Sequence, residues 1–277
     1  MCNNHARHAI FGLSARGRVS VLNRLFVPSR PRTIVIALAS IVLLFLAATL
    51  PFWLWPLDLQ IQRLFFDPAG VESPWVGKQN ALFDLLYAYG CWPAYAMAGV
   101  SGAIFLLGFR VPSWSRWRRT CAYLVLCLAI GPGLIVNCTL KSHWGRPRPR
   151  QVQEFGGEHA FVRVWAYDAS SGGSSFPSGH ASTGFYFLAL TPLLWRRRQA
   201  VAAAALGLGF GSTIGVARMA QGGHFASDVL WSAGICALTS AGLFFALRLD
   251  QAAPSRGAAE STEVLPRTEP RTEKHAA

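Results

Sequence analysis

Six stretches of this chain run for fifteen or more residues without a single Asp, Glu, Lys or Arg: Thr33 to Trp55, Leu85 to Phe109, Cys121 to Leu140, Ala181 to Trp195, Gln199 to Ala217 and Val229 to Leu247. A helical residue advances about 1.5 Å and the hydrocarbon layer is about 30 Å thick, so roughly 20 apolar residues cross a bilayer. The fourth stretch is short and is expected to start near Phe176 or to tilt little. Glycine and proline inside the stretches are no obstacle, because membrane helices tolerate them better than soluble ones. With 52% hydrophobic and 14% charged residues, the composition argues against a soluble globular domain. The predicted fold is all-α: a six-span transmembrane helical bundle occupying residues 33–249.

The net charge of +13 does not point to nucleic acid, because the basic residues are scattered between apolar blocks instead of gathered on one module. Their distribution sets an orientation. Six Lys or Arg precede the first block, four lie between the second and third (Arg110, Arg116, Arg118, Arg119), three follow the fourth (Arg196, Arg197, Arg198) and five begin at Arg248. These eighteen against eight on the other side place both termini in the cytoplasm. The first block reads as a retained anchor, since it is too long for a signal core and ends in Trp53 and Trp55, residues of an interfacial belt. Residues 1–32 and 250–277 read as polar, poorly ordered cytoplasmic tails. Asp58 to Asp67 reads either as a plain loop or as a surface helix with Leu59, Ile61, Leu64 and Phe65 on lipid. Cys91, Cys121, Cys127, Cys138 and Cys236 sit in apolar stretches as small core residues, and with Cys2 they form neither a disulfide framework nor a metal signature.

Five of the eight outer basic residues fall in one loop, Lys141, Arg146, Arg148, Arg150 and Arg163, against the general bias. An isolated Lys or Arg at a helix end merely snorkels. Here three helix ends bring related chemistry to one membrane face. Lys141 to Pro149 leaves the third block, with Pro147 and Pro149 turning the chain along the surface. Phe176 to His180 enters the fourth. Arg218 to Asp228 closes the fifth and opens the sixth. Lys141, Arg148 and Arg218 offer charge-assisted donors to a tetrahedral dianion, and backbone N–H groups near Ser178 and Gly179 add neutral ones. If helical, His224 and Asp228 share a face, so the carboxylate can hold one ring nitrogen and leave the other to attack. His180 can then protonate the departing oxygen. Asp228 also suits a helix cap, Gly222 and Gly223 a simple turn, and His143 and His159 plain interfacial positions.

Together these segments resemble the type 2 phosphatidic acid phosphatase superfamily, which shares its core with the vanadium haloperoxidases. The family pattern KX6RP, PSGH and SRX5HX3D matches Lys141 to Pro149, Pro177 to His180, and Arg218 to Asp228, except that Ala217 replaces the usual serine. The resemblance implies His224 as a nucleophile forming a phosphohistidine, Asp228 as its orienting partner and His180 as general acid. It implies Lys141, Arg148, Arg218, Ser178 and Gly179 as phosphate ligands, with no metal and no cofactor. The segment Gln151 to Ser175, with Glu154, Phe155, Gly156, Gly157, Phe161, Trp165 and Tyr167, is expected to roof the pocket, and beside WGRPRPR it is similar to members acting on lipid A. Undecaprenyl diphosphate, phosphatidylglycerol phosphate and phosphatidic acid stay open as substrates. So do two other functions: transfer of the phosphoryl group to a second lipid, and non-catalytic lipid binding or transport. A soluble haloperoxidase does not fit this chain.

Overall fold

Apolar runs become helices throughout: a computed structural model describes residues 31–168, 172–194 and 196–251, and among these no strand forms, only three isolated bridges. The tails assigned from sequence, Cys2 and Trp195 lie outside or almost wholly outside the described residues. Helix α1 spans Pro31–Leu54 and α2 Leu57–Arg63. Helices α3, Ala81–Tyr89, and α4, Trp92–Leu107, follow one another with Gly90 and Cys91 between them. Helix α5 is α-helical over Arg118–Leu128, π-helical over Ala129–Leu140 and α-helical again over Lys141–His143. Helix α6 starts as Gly179–Phe185 and tightens into a 3-10 helix over Tyr186–Leu193. Helices α7, Arg197–Ala220, and α8, Ala226–Ala246, complete the set.

Among the described residues, five segments are long and apolar enough to cross a membrane: Arg32–Leu54, Ala81–Leu107, Pro112–His143, Arg197–Ala220 and Ala226–Ala246. The predicted fourth span is the short one. Its seven α-helical and eight 3-10 residues still reach roughly 26 Å, because a 3-10 helix rises about 2.0 Å per residue.

The π-register of α5 has a local cause. Pro132 carries no N–H, and its carbonyl accepts the side-chain amide of Asn137 at 2.7 Å. Thr139 and Ser142 likewise donate to carbonyls five residues back, at 2.9 and 3.0 Å, the spacing that a π-turn presents.

Small residues let the helices close. A methyl on Gly211 of α7 would lie 2.2 Å from the Phe185 ring of α6, and one on Gly184 would lie 2.7 Å from the Gly211 backbone, the close approach that glycine permits between membrane helices. Buried hydroxyls add polar links. Tyr123 donates to Ala189 O at 2.9 Å and meets Ser240 Oγ at 3.0 Å, while Tyr186 donates to Leu124 O at 2.9 Å. On the outside of α1, Val35, Leu43 and Leu44 are exposed, an arrangement suited to lipid and costly in water. Among the cysteines, Cys121, Cys127 and Cys236 are core residues, whereas Cys138 is exposed on α5.

The segment after α1 departs from both readings offered for it. It is helical, but Asp58, Leu59 and Gln62 are buried against protein. Gln62 donates to Met219 O at 2.7 Å, and Ile61 and Phe65 pack on the core, which leaves Leu64 exposed. The buried Asp58 and the amide nitrogen of Gln62 find their partners in the protein, so the helix lies on the bundle and not in the lipid surface.

Candidate active site

Four helix ends build the site. Lys141 ends α5, His180 begins α6, Arg218 closes α7, and His224 with Asp228 precedes and opens α8. A single glycine-rich turn separates α7 from α8. Gly222 adopts a φ of +65°, and a methyl there would lie 2.6 Å from the Trp75 indole. On Gly223 a methyl would come within 2.7 Å of the Arg218 guanidinium. Glycine therefore does more than turn the chain: at 222 it makes room for Trp75, and at 223 it gives Arg218 its place.

His224 is almost fully buried, and its Nδ1 lies 2.6 Å from Ser175 O, to which it donates. Asp228 Oδ2 is 3.8 Å from the same nitrogen, too far for a hydrogen bond and close enough for charge. The expected direct contact between this carboxylate and the ring is thus replaced by a backbone carbonyl. His224 lies ahead of α8, so the helical i, i+4 geometry does not apply to it. Asp228 has other partners. It accepts the Phe225 N–H at 2.8 Å, which is the capping role, and the Ser175 hydroxyl at 2.5 Å. Ser175 thereby touches both residues, with its carbonyl on the ring and its hydroxyl on the carboxylate. With Nδ1 carrying the proton, Nε2 keeps its lone pair. Burial pushes the His224 pKa down and the Asp228 charge only partly opposes this, which favours the neutral imidazole.

Beneath Asp228 lies an ion-pair chain that the sequence left unmarked. Arg146 is fully buried and donates to Asp228 Oδ1 at 2.5 Å, to Ser227 Oγ at 2.8 Å, to Asp58 Oδ2 at 2.8 Å and to Val162 O at 2.9 Å. Asp58 also accepts the Ser227 N–H at 2.9 Å and its hydroxyl at 2.6 Å. Burial alone would lower the Arg146 pKa, but the two carboxylates raise it, and the guanidinium stays charged.

Arg148, two residues on, goes elsewhere. It donates to Ser174 Oγ at 3.0 Å and is half-buried. Lys141, Arg148, Arg218 and His224 all lie close enough to His180 to act on it electrostatically. Burial, and then the Arg218, Lys141 and Arg148 cations, lower the His180 pKa to about 4. Arg218 is buried and donates to Gln221 Oε1 at 2.5 Å, while its Nε has no partner among the described residues. A buried donor left unpaired is costly, and an anion would satisfy it. Ser178 contributes otherwise than expected: its N–H bonds Asp228 O at 3.3 Å and its hydroxyl caps α6 by accepting from Ala181 N at 3.4 Å. Gly179 is buried against Asn137, whose Oδ1 would lie 2.4 Å from an added methyl. Among the described residues no group of three or more His, Cys, Asp or Glu is placed to hold a metal.

A model of the PAP2 superfamily matches residues 122–250. The lipid A 4'-phosphatase of Francisella tularensis subsp. novicida is 32% identical over 197 residues, covering 69% of this chain and 86% of that protein. The chain belongs to the PAP2 superfamily. It is a hydrolase, a phosphatase, as the matched PAP2 proteins are. The lipid A 4'-phosphatase of Rhizobium leguminosarum is 39% identical over 105 residues, 37% of this chain and 44% of that protein. The lipid A 1-phosphatase of Rhizobium etli is 33% identical over 184 residues, 61% and 72% of the two chains. No solved structure matches.

Within this PAP2 chain, sequence reasoning missed Ser175, Asp58 and the burial of Arg146. Arg146 had been counted with the outer basic group, and only its place in an Arg-Pro-Arg run set it apart. Two aromatic side chains of the segment expected to roof the pocket pack against other parts of the protein. Phe155 packs with Trp75, Leu59, Val152 and Phe225, and Trp165 with Trp53 and Trp231. Tyr167 remains exposed, and Arg163 bonds the Trp53 carbonyl.

Proposed function

We propose that this chain removes phosphate from a membrane-embedded glycolipid of the lipid A type, at the outer face of the cytoplasmic membrane, through a phosphohistidine. The observation that carries the reading is the buried Arg218, which ends α7 just before the turn bearing the buried His224 and whose Nε has no partner among the described residues. The arginine-rich cluster at helix ends suits a lipid whose chains remain in the bilayer while its phosphate enters a polar pocket. Relatives named as lipid A phosphatases match along most of the chain.

In this reading Nε2 of His224 attacks phosphorus and the bond to the sugar oxygen breaks. His180 gives its proton to that oxygen. Lys141, Arg148 and Arg218 hold the equatorial oxygens, with the Gly179 region of the α6 start assisting, and supply the positive charge that a metal provides in other phosphoryl-transfer enzymes. Water then attacks the phosphohistidine, His180 accepts its proton, and free phosphate leaves. Asp228 acts through charge and through Ser175, not by direct contact.

Six spans, with α6 as the short fourth, and cytoplasmic termini are part of the same proposal. Support comes from the exposed Arg110, Arg116, Arg119 and Arg196 to Arg198 at the helix ends away from the motifs.

The test is release of inorganic phosphate by purified protein in detergent, with excess chelator, from lipid A, undecaprenyl diphosphate, phosphatidylglycerol phosphate and phosphatidic acid side by side. Transfer products are scored in parallel. Lipid A is expected to be turned over fastest, and preference for another lipid would overturn the substrate. Undiminished turnover by His224→Ala would remove the nucleophile from the scheme.

A further inference from the structure

Helix α3 carries two residues, Asp84 and Tyr87, that reach the site although no motif includes them. They are three residues apart and share a face. Asn80 fixes the start of the helix, its side-chain oxygen accepting from Leu82 N at 3.0 Å and Phe83 N at 3.3 Å. Gly77, just before it, lies so close to the end of α7 that a methyl would be 2.6 Å from Ala220. Gly90, just after it, would bring a methyl 3.2 Å from Ile214. This face of α3 is therefore held against the end of α7 that bears Arg218.

The Tyr87 ring stacks on the His180 imidazole, with centroids 4.9 Å apart and planes at 28°. The Arg218 guanidinium sits over the same ring, 4.4 Å from its centroid. Asp84 accepts from Gln221 Nε2 at 3.0 Å, and Gln221 in turn accepts from Arg218. One turn of α3 thus holds both the proton donor and an anion-binding arginine.

We propose that Tyr87 is a positioning residue for the phosphatase reaction, its ring orienting the His180 imidazole and stabilising the protonated form of that ring when phosphate is bound. The inference rests on the role of His180 given above. His180 is faced by Arg218, Lys141, Arg148 and His224 as well as by Tyr87. A bound phosphate neutralises the cations, and the electron-rich ring face of Tyr87 then favours an imidazolium over it. A leucine in that place would offer bulk without a negative face.

The pH dependence of kcat reports the enzyme–substrate complex, so it reads this effect directly. In Tyr87→Leu the alkaline limb of kcat is expected to move down by about one pH unit, with kcat at neutral pH falling about tenfold. Tyr87→Phe is expected to restore the wild-type limb. Phenylalanine fluorinated around its ring, placed at the same position, keeps the shape but not the negative face, and should behave like the leucine variant even if leucine impairs folding. His180→Ala is measured alongside. Loss of activity in His180→Ala with a wild-type profile in the leucine and fluorinated variants would overturn the assignment of Tyr87 alone. Full activity in His180→Ala would overturn the functional reading on which it rests.

Discussion

Arg146 Nη1 lies 2.5 Å from Asp228 Oδ1, and both side chains are sealed from solvent. The other end of the same guanidinium meets Asp58 at 2.8 Å. Helix α2 and the start of α8 are therefore joined through one cation. Two carboxylates facing one arginine leave a negative excess that the Ser227 and Ser175 hydroxyls and the Phe225 and Ser227 N–H groups spread over four further donors.

Removing Asp58 leaves Asp228 to balance the Arg146 charge but takes the acceptor from Arg146 Nη2 and from the buried Ser227 N–H and hydroxyl. Asp58→Ala is expected to lose about 3 kcal/mol of stability, read as a lowered thermal midpoint in detergent. Asp58→Asn keeps an acceptor for Ser227 and should lose less. Equal midpoints for wild type and Asp58→Ala would show that the pair contributes nothing.

Ser175 offers a finer probe. Ser175→Ala retains the carbonyl that holds His224 and deletes only the hydroxyl that donates to Asp228. A hydrogen bond to a charged acceptor contributes about 1.5–3 kcal/mol, so kcat is expected to drop by about one order of magnitude while KM changes little. A KM effect without a kcat effect would place Ser175 among substrate contacts instead.

Arg218 is held by one nitrogen and presents another, Nε, without a partner among the described residues. Lysine at this position cannot span Gln221 and an anion together. Arg218→Lys is expected to raise KM about tenfold or more and to weaken inhibition by inorganic phosphate in parallel. Unaltered phosphate inhibition would take Arg218 out of the anion site.

In the free enzyme the His180 pKa is lowered to about 4, because burial and the Arg218, Lys141 and Arg148 charges disfavour its cation. Its pKa is depressed, so at neutral pH the free enzyme does not supply the proton. That proton must arrive with the substrate. A phosphate monoester loses its second proton near pH 6, and kcat/KM is therefore expected to fall about tenfold per pH unit above that value. A kcat/KM that climbs from pH 6 to 8 would contradict this proton inventory.

The helices and the chemistry of their ends were legible because both are local properties of the chain. Run length and the absence of charge define a crossing segment, and Pro177 to His180 or Arg218 to Asp228 are short enough to be recognised as they stand. The sequence also predicts Lys141, His180, Arg218 and Asp228 at one end, since six alternating spans would leave no other arrangement. Division of labour within Arg146-Pro-Arg148 was not legible. In an extended, polyproline-like stretch positions two apart point to different sides, and whether a given arginine meets Asp228 or Ser174 depends on segments 82 and 26 residues away. Asp58, Ser175 and Tyr87 were hidden for the same reason: a carboxylate, a hydroxyl or a ring acquires its role from the neighbour that long-range packing supplies. The amino-acid order determined that this chain is a helical membrane protein with a phosphate-handling end, and only the tertiary structure decided which residues hold that end in shape.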